Sequence, residues 1–466
     1  MLSFFRLNDP YRLILIFFVL LALRLPFMFS DGHLTIPELS HMLVGEKMSE
    51  GANLYDQVWE NIAPFSAGIY MVTDYLFGRS QNAYYWLALI IVFFQCFIFN
   101  KLLLDNKAYN ENTYVPGLIY GISMSFFFDF ITLTPVVMGL TFLLLALNNI
   151  FSHIEFRAKR DEKILNIGIY LGVACLFYLP NIIFGLATFV VFMFFTGTVL
   201  RRYLLLLFGF TLPLLLAATY FLVTNRLQDF IYSFINPLVT FYSQSFIDNM
   251  SLLVIFAVPI LLLIASFVRI NQRARFTNYQ TRLTQVMFVW LLFAIAFVLI
   301  STTYAPNTYI VFVPIVAFFL SHYFLLIRRR FISEIIFTLF LTATILINHG
   351  TAFKFFLTKD HVDLNTYLVD QGQKELEGKK VLVLDNNLKA YVNCQPATPF
   401  LDWHMVKDLF TNLDYYDNQT IIYDGFSQDM PEIIIDPNKV MPNVMKKMPI
   451  LADRYRKNGE RYYLIN

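Results

Sequence analysis

About eleven apolar blocks fill residues 1–348 of this 466-residue chain, each close to the roughly 20 residues that cross a bilayer as a helix. They run over 13–30, 82–104, 114–130, 132–151, 165–179, 181–199, 202–222, 251–268, 283–301, 308–327 and 331–348. A backbone that leaves water must satisfy its own polar groups, so blocks of this length predict helices and exclude open sheets. The run 165–199 is too long for one span, and Pro180 divides it, because proline lacks an N–H and clashes with the preceding turn. Block 13–29 ends in Met28-Phe29-Ser30-Asp31-Gly32, which lacks a small-residue cleavage site, so it reads as a retained helix. Charged residues make up 15% of the chain, against about 25% in a water-soluble domain. The deficit lies in 1–348, whereas 349–466 has ordinary soluble composition. The fold class is therefore a polytopic transmembrane α-helical bundle over 1–348 with a small soluble α/β domain over 349–466.

Charge then sets the orientation. Arg6, Arg12, Lys101, Lys107, the run 157–163, Arg201, Arg202, Arg269, Arg273, Arg275, Arg282 and Arg328–Arg330 fall in alternate loops. The intervening loops 31–81, 223–250 and 302–307 are acidic or nearly free of Lys and Arg. The positive-inside rule places the N-terminus in the cytoplasm and, with an odd number of spans, the 31–81 loop and the tail outside. A net charge of +2 summed over two compartments gives no reason to expect a nucleic-acid partner. The 3 cysteines show neither metal-ligand spacing nor a disulfide framework.

In the tail, 379–385 and 431–436 are continuous apolar, β-branched runs that read as buried strands, and 402–413 and 442–456 read as helices. Alternating strands and helices imply an α/β unit. No Gly-rich phosphate loop follows either strand, so nucleotide binding finds no support.

The loop 31–81 carries His33, Glu38, His41, Glu46, Glu50, Asp56 and Glu60 in an otherwise lipid-soluble region. Carboxylates beside a bilayer are costly, which makes this stretch the candidate active site. Glu38 follows Pro37, a residue suited to the first turn of a helix, and shares a face with His41 at i,i+3. Its two readings are a catalytic base and a side chain favoured by the positive helix N-terminus. Glu46 and Glu50, at i,i+4, read as a solvated face. Tyr55, Asp56, Trp59 and Glu60 interleave rings and acids, as a sugar site does and as an interfacial helix does. Arg24, within the first span, either meets a phosphate or snorkels to the interface. Arg226, Arg79 and Lys354 are the other cations expected outside near the membrane. Asp129 either faces the same cavity or caps the next helix. His33, Glu38 and His41 form the one trio suited to a divalent metal, and no other cofactor is implied.

The order of these residues resembles the type-C (GT-C) integral-membrane glycosyltransferases, a superfamily that includes protein O-mannosyltransferases and lipid A aminoarabinose transferases. The resemblance rests on Pro37-Glu38, then Gly51-Ala-Asn-Leu-Tyr55-Asp-Gln-Val-Trp59, then Ala63-Pro64-Phe65, then Leu76-Phe77-Gly78, with a small-residue helix at 171–181 and a hydrophilic tail. It departs where Pro37 stands in place of the usual Asp and where a Pro-Pro pair is reduced to Ala63-Pro64. It implies transfer of a sugar from a polyprenyl-phosphate donor to an envelope lipid, glycan or protein, at the external face of a bacterial inner membrane. Glu38 would be the catalytic base, and His41, Tyr55, Asp56, Trp59, Glu60, Arg24, Arg226 and Asp129 would contact substrate. The competing expectation is a non-catalytic scaffold with this fold in an envelope export or assembly complex. A secondary transporter ranks behind both, since no inverted repeat is visible.

Overall fold

In the computed structural model, residues 1–30, 33–156, 161–197, 199–239, 244–353, 362–369, 374–397 and 399–465 are described. Every apolar block contains a helix: Tyr11–Met28, Gln81–Asp105, Val115–Ser123, Pro135–Phe156, Asp161–Phe177, Ile182–Phe195, Leu200–Val223, Asn249–Arg273, Asn278–Ile300, Val313–Leu325 and Arg330–Ala352. Among the described residues, 8 helices are long and apolar enough to cross a membrane. The chain is thus a polytopic integral membrane protein. The block expected as one span at 114–130 is broken: its helix stops at Ser123, and a 3-10 turn, Phe128–Ile131, follows before Pro135 starts the next helix.

The fold divides into two compact units. The first comprises Met1–His33, Asn82–Ala217 and Thr240–Thr366. Val115–Ser123 is buried at every position, and Val313–Leu325 is buried at nearly all, so these two mostly apolar helices form its centre. A two-residue parallel pair, β1 (Gln244–Ser245) with β2 (Thr303–Tyr304), lies in the same unit. An apolar cavity of about 520 Å³ opens among Phe126, Phe130, Leu252, Phe256, Tyr309 and Phe312.

The second unit comprises Leu34–Gln81, Ala218–Val239 and Tyr367–Asn466, so the acidic loop packs with the tail. Two helices carry the loop. Ile36–Ser49 starts where the Thr35 hydroxyl accepts the Glu38 N–H at 3.3 Å, with Pro37 in the first turn, and ends before Gly51, whose φ of 100° suits glycine. Pro64–Phe77 ends at Gly78, whose φ is 64°. The two helices approach closely at Gly45, where a Cβ would lie 2.7 Å from the Tyr70 carbonyl oxygen. Strand-like bonds tie the loop to the tail: Ile36 N–H to the Tyr367 carbonyl at 3.0 Å and Val369 N–H to the Leu34 carbonyl at 2.8 Å.

The tail holds a five-stranded mixed sheet in the order β4-β3-β5-β7-β6, from β3 (Lys380–Val383), β4 (Gln395–Pro396), β5 (Ile433–Ile435), β6 (Tyr455–Asn458) and β7 (Arg461–Leu464). β3 runs parallel to β4 and β5, and β7 runs antiparallel to β5 and β6. Its core includes Leu382, Phe400, Phe410, Phe426, Ile434 and Tyr462, with Trp59 of the loop packed against it. Both expected strands form, as does the helix Trp403–Thr411. The helix expected over 442–456 does not run through. It stops at Lys447, because Met448 precedes Pro449 and is pushed out of the helical region; a single turn, Pro449–Ala452, follows, and a hairpin begins at Tyr455. The helix Tyr416–Gln428 was not expected from the sequence, its apolar residues being few.

Candidate active site

The face of Ile36–Ser49 that carries Glu38, His41 and Gly45 meets the helix Pro64–Phe77. Glu38 is 2% exposed and accepts a hydrogen bond from the Gln81 amide at 2.9 Å. The His41 ring stacks on Tyr70 with centroids 4.9 Å apart and planes 12° from parallel. Burial lowers its pKa to about 3, so His41 is a neutral imidazole in any ordinary medium and supplies no charge to a phosphate. Glu46, one turn further, pairs with Arg79, which also donates to the carbonyls of Tyr391, Val392 and Cys394. The expected solvated face of Glu46 is therefore a clip between loop and tail, while Glu50 pairs with Lys47 at 3.0 Å.

Ser40 lies on a different face of the helix, together with Lys47, which bonds Asp429 of the tail at 3.5 Å. Ser40 stands near enough to Glu60 for its hydroxyl to act on that carboxyl. Glu60 is brought here by the segment before it. The Trp59 N–H donates to the Pro399 carbonyl at 2.7 Å, and the Asp402 N–H donates to the Trp59 carbonyl at 3.1 Å. Trp59 thus forms a parallel bridge with Phe400, and the two rings meet edge-to-face at 6.0 Å. The ladder brings the backbone after Trp59 up to that of Asp402, the N-cap of Trp403–Thr411, whose carboxylate accepts the His404 N–H at 2.9 Å.

Burial raises the Glu60 carboxyl well above the usual carboxylate range, and the neighbouring Asp402 raises it further, while the Ser40 hydroxyl pulls the other way. Burial likewise pushes Asp402 up to about 6, against the backbone N–H groups of His404 and Met405. The unit therefore holds two carboxyls, Glu60 and Asp402, whose pKa values burial raises. Asp402 escaped the sequence reading. The only local signal is a helix cap in Asp402-Trp403-His404, and nothing in the sequence pairs residue 60 with residue 402.

The remaining loop and Arg226 positions separate into core and rim. Tyr55 is 1% exposed, its hydroxyl donates to the Ile62 carbonyl at 2.5 Å, and its ring packs on Phe221 and Phe230, so it is a core residue. Trp59 is partly exposed, and its indole N–H donates to the Asp56 carbonyl at 2.9 Å. Asp56 is exposed. Arg226 lies over the Tyr220 and Phe221 rings at 6.0 and 5.9 Å. Burial and the Asp56 charge raise the nearby Asp229 carboxyl, and Arg226 opposes them. Asp56, Asp229 and Arg226 form a mixed-charge rim.

Arg24 and Asp129 belong to the first unit, where they repair the broken helix. Arg24 is fully buried and donates to the Met124 carbonyl at 3.0 Å, the Ile131 carbonyl at 3.4 Å and the Ser125 hydroxyl at 3.4 Å. Asn348 donates to the Ser125 carbonyl at 3.0 Å. A helix end inside a membrane needs donors for its last carbonyls, and these two side chains supply them. Asp129 accepts the Asn307 N–H at 2.7 Å, capping the 3-10 turn Pro306–Phe312 rather than the next helix in sequence. The His33 ring lies among Phe27, Phe128 and Phe353 in this first unit. Among the described residues, no group of three or more His, Cys, Asp or Glu side chains is placed to hold a metal ion. Lys354 lies outside the described residues.

No protein-family model matches the chain, and no curated protein matches it in sequence. Solved structures match it nearly end to end. ArnT from Cupriavidus metallidurans bound to undecaprenyl phosphate superposes with a TM-score of 0.54 at 11% identity, covering 97% of this chain and 96% of that one. The same protein in the apo state superposes with a TM-score of 0.55 at 11% identity, covering 97% of each chain. Such identity speaks to architecture alone: this chain shares the fold of ArnT, the GT-C fold, in divergent form.

Proposed function

We propose that this protein is a membrane glycosyltransferase that moves a sugar from a polyprenyl-phosphate donor to a hydroxyl or amine on an envelope lipid, glycan or protein at the external face. The observation that carries the reading is Glu60, a carboxyl on a loop docked by backbone bonds, whose pKa burial raises in the direction a general base needs. Glu60 would take the acceptor's proton, with the partly exposed Trp59 beside it as a surface for the sugar. Arg226 is the cation suited to the leaving phosphate. The GT-C fold, the undecaprenyl phosphate bound by ArnT and the apolar cavity of about 520 Å³ support a polyprenyl partner. Glu38 is the alternative base, with Gln81 orienting its carboxylate.

The test is mass spectrometry of envelope lipids, glycans and proteins from a deletion strain carrying Glu60→Gln or Glu38→Gln. Loss of one glycosylated species in the deletion and in Glu60→Gln supports the reading. Loss with Glu38→Gln alone moves the base to the helix start. A second reading, a scaffold without turnover, draws on Arg24, which the protein spends on its own carbonyls, and on Pro37 at the position where the family carries Asp. An unchanged glycome beside a persistent envelope defect in the deletion would favour the scaffold.

A further inference from the structure

Arg12 is the second residue of Tyr11–Met28, at one end of the first span, and is 5% exposed. Two of its guanidinium nitrogens, Nε and Nη1, are buried and meet no acceptor among the described residues. A guanidinium keeps its charge, and N–H donors of a buried charge are costly to leave without acceptors. The Phe4 ring covers the group, its centroid 4.4 Å from the guanidinium carbon. A ring face attracts a cation but offers no oxygen to its N–H groups. The other charged groups of this segment are committed. Arg6 donates to the Phe324 carbonyl at 2.7 Å, and the Asp9 carboxylate accepts the Tyr11 N–H at 3.3 Å. Glu334 accepts the Leu2 and Ser3 N–H groups at 3.1 and 2.6 Å.

The surroundings of Arg12 point to the bilayer. Phe4, Leu7 and Tyr11 are exposed, and the exposed apolar surface continues along the same span through Ile14, Leu15 and Phe18. Exposed apolar side chains on a spanning helix face lipid, and Tyr favours headgroup depth. Arg328, Arg329 and Arg330 are exposed at the start of Arg330–Ala352, the helix whose Glu334 holds Leu2 and Ser3. Basic clusters at a span's end gather acidic lipids from the adjoining leaflet.

We propose that Arg12 anchors a binding site for the phosphate of an anionic phospholipid, taken from the leaflet in which residues 1–12 lie. Phe4 is the cover of the site. Its ring, half exposed, turns outward about the Cα–Cβ bond and leaves the guanidinium fork to two phosphate oxygens. A headgroup with no ammonium of its own suits the site, since Arg328–Arg330 repel a further cation. All these residues belong to the first unit, so the site stands apart from the roles of Glu60 and Glu38.

The experiment counts bound lipids by native mass spectrometry on the full-length protein in detergent micelles, titrated with phosphatidylglycerol, phosphatidylcholine or diacylglycerol. The wild type should hold one phosphatidylglycerol ahead of the other two lipids. Arg12→Met should weaken that lipid by about tenfold or more, the scale of one hydrogen bond to a charged group. Lys101→Met is the control. Lys101 is an exposed cation 5.8 Å from the Phe97 ring near the end of another span, and its loss should leave the tight lipid in place. Arg12→Lys serves if the methionine variant does not fold: it keeps the cation without the fork and should also weaken the lipid. Affinity unchanged in whichever Arg12 variant folds, or weakened alike in Lys101→Met, overturns the site. Phosphatidylcholine or diacylglycerol held as tightly as phosphatidylglycerol overturns the anionic headgroup. Inorganic phosphate that displaces phosphatidylglycerol at equal concentration overturns the bilayer as its source.

Discussion

Gly45→Ala should loosen the helix that carries Glu38, Ser40 and His41, and its size follows from the packing. A Cβ at residue 45 would stand 2.7 Å from the Tyr70 carbonyl oxygen and 2.9 Å from its carbon, where ordinary contact begins at 3.4 Å. The obstacle is backbone, so the helices Ile36–Ser49 and Pro64–Phe77 must separate by several tenths of an ångström. Overpacking of this kind costs about 1–3 kcal/mol, and the clash with main chain argues for the upper half of that range. Alanine returns up to about 1 kcal/mol of helix propensity. The net expectation is a loss of about 1–2 kcal/mol. Gly68→Ala is the control: it lies in the adjoining helix with nothing within 4 Å of its Cβ, so it should stabilise by about 0.5–1 kcal/mol. Unfolding in mixed micelles, followed by proteolysis of the unfolded fraction, reads both variants against the wild type. Separation of the helices should also disturb the His41–Tyr70 stack and the Gln81–Glu38 bond, so the glycosylation phenotype should weaken with Gly45→Ala alone. Equal stability of the two variants would refute the argument, since it would mean that the interface at Tyr70 is not tight.

Three further outcomes are expected. Arg24→Met should destabilise by about 2–4 kcal/mol, because it strips donors from the carbonyls of Met124 and Ile131 in a buried site; wild-type stability in an unfolding assay would sink the capping role and return Arg24 to ligand binding. Stability should fall as pH rises from about 4 to about 6, because burial lifts Asp402 from 3.8 to about 6 and Glu60 in the same direction, so the native state binds more protons than the unfolded chain across that window. Asp402→Asn should flatten this slope, and a slope unchanged by the substitution would refute the assignment. Asn387→Cys, at an exposed turn in a chain whose cysteines 96, 175 and 394 are buried, should react with an impermeant thiol reagent on intact spheroplasts; labelling only after lysis would reverse the orientation derived from the basic loops.

Hydropathy alone located the eleven helix-bearing blocks, because in a bilayer length and apolarity are the requirement and both are local properties. Turn chemistry likewise placed the helix start at Pro37, and β-branched runs marked the strands at 380 and 433. The hairpin at 455–464 has one sequence signal, Gly459 at its turn, and the helix expected over 442–456 overlaps its first residues. The broken span at 124–134 was not legible, since its apolar composition is that of a helix and the break depends on donors from residues 24 and 348. The acids divide in the same way. Their presence in the loop could be read from the sequence, but their roles depended on partners far along the chain. Glu38 went to Gln81 and Glu46 to Arg79, while Glu60 went to Asp402 through a backbone ladder that any residue types could form. Backbone bonds carry no side-chain signature, so only the tertiary structure could choose which part of the tail the carboxyl-bearing loop meets and, through burial, which carboxyls have their pKa raised.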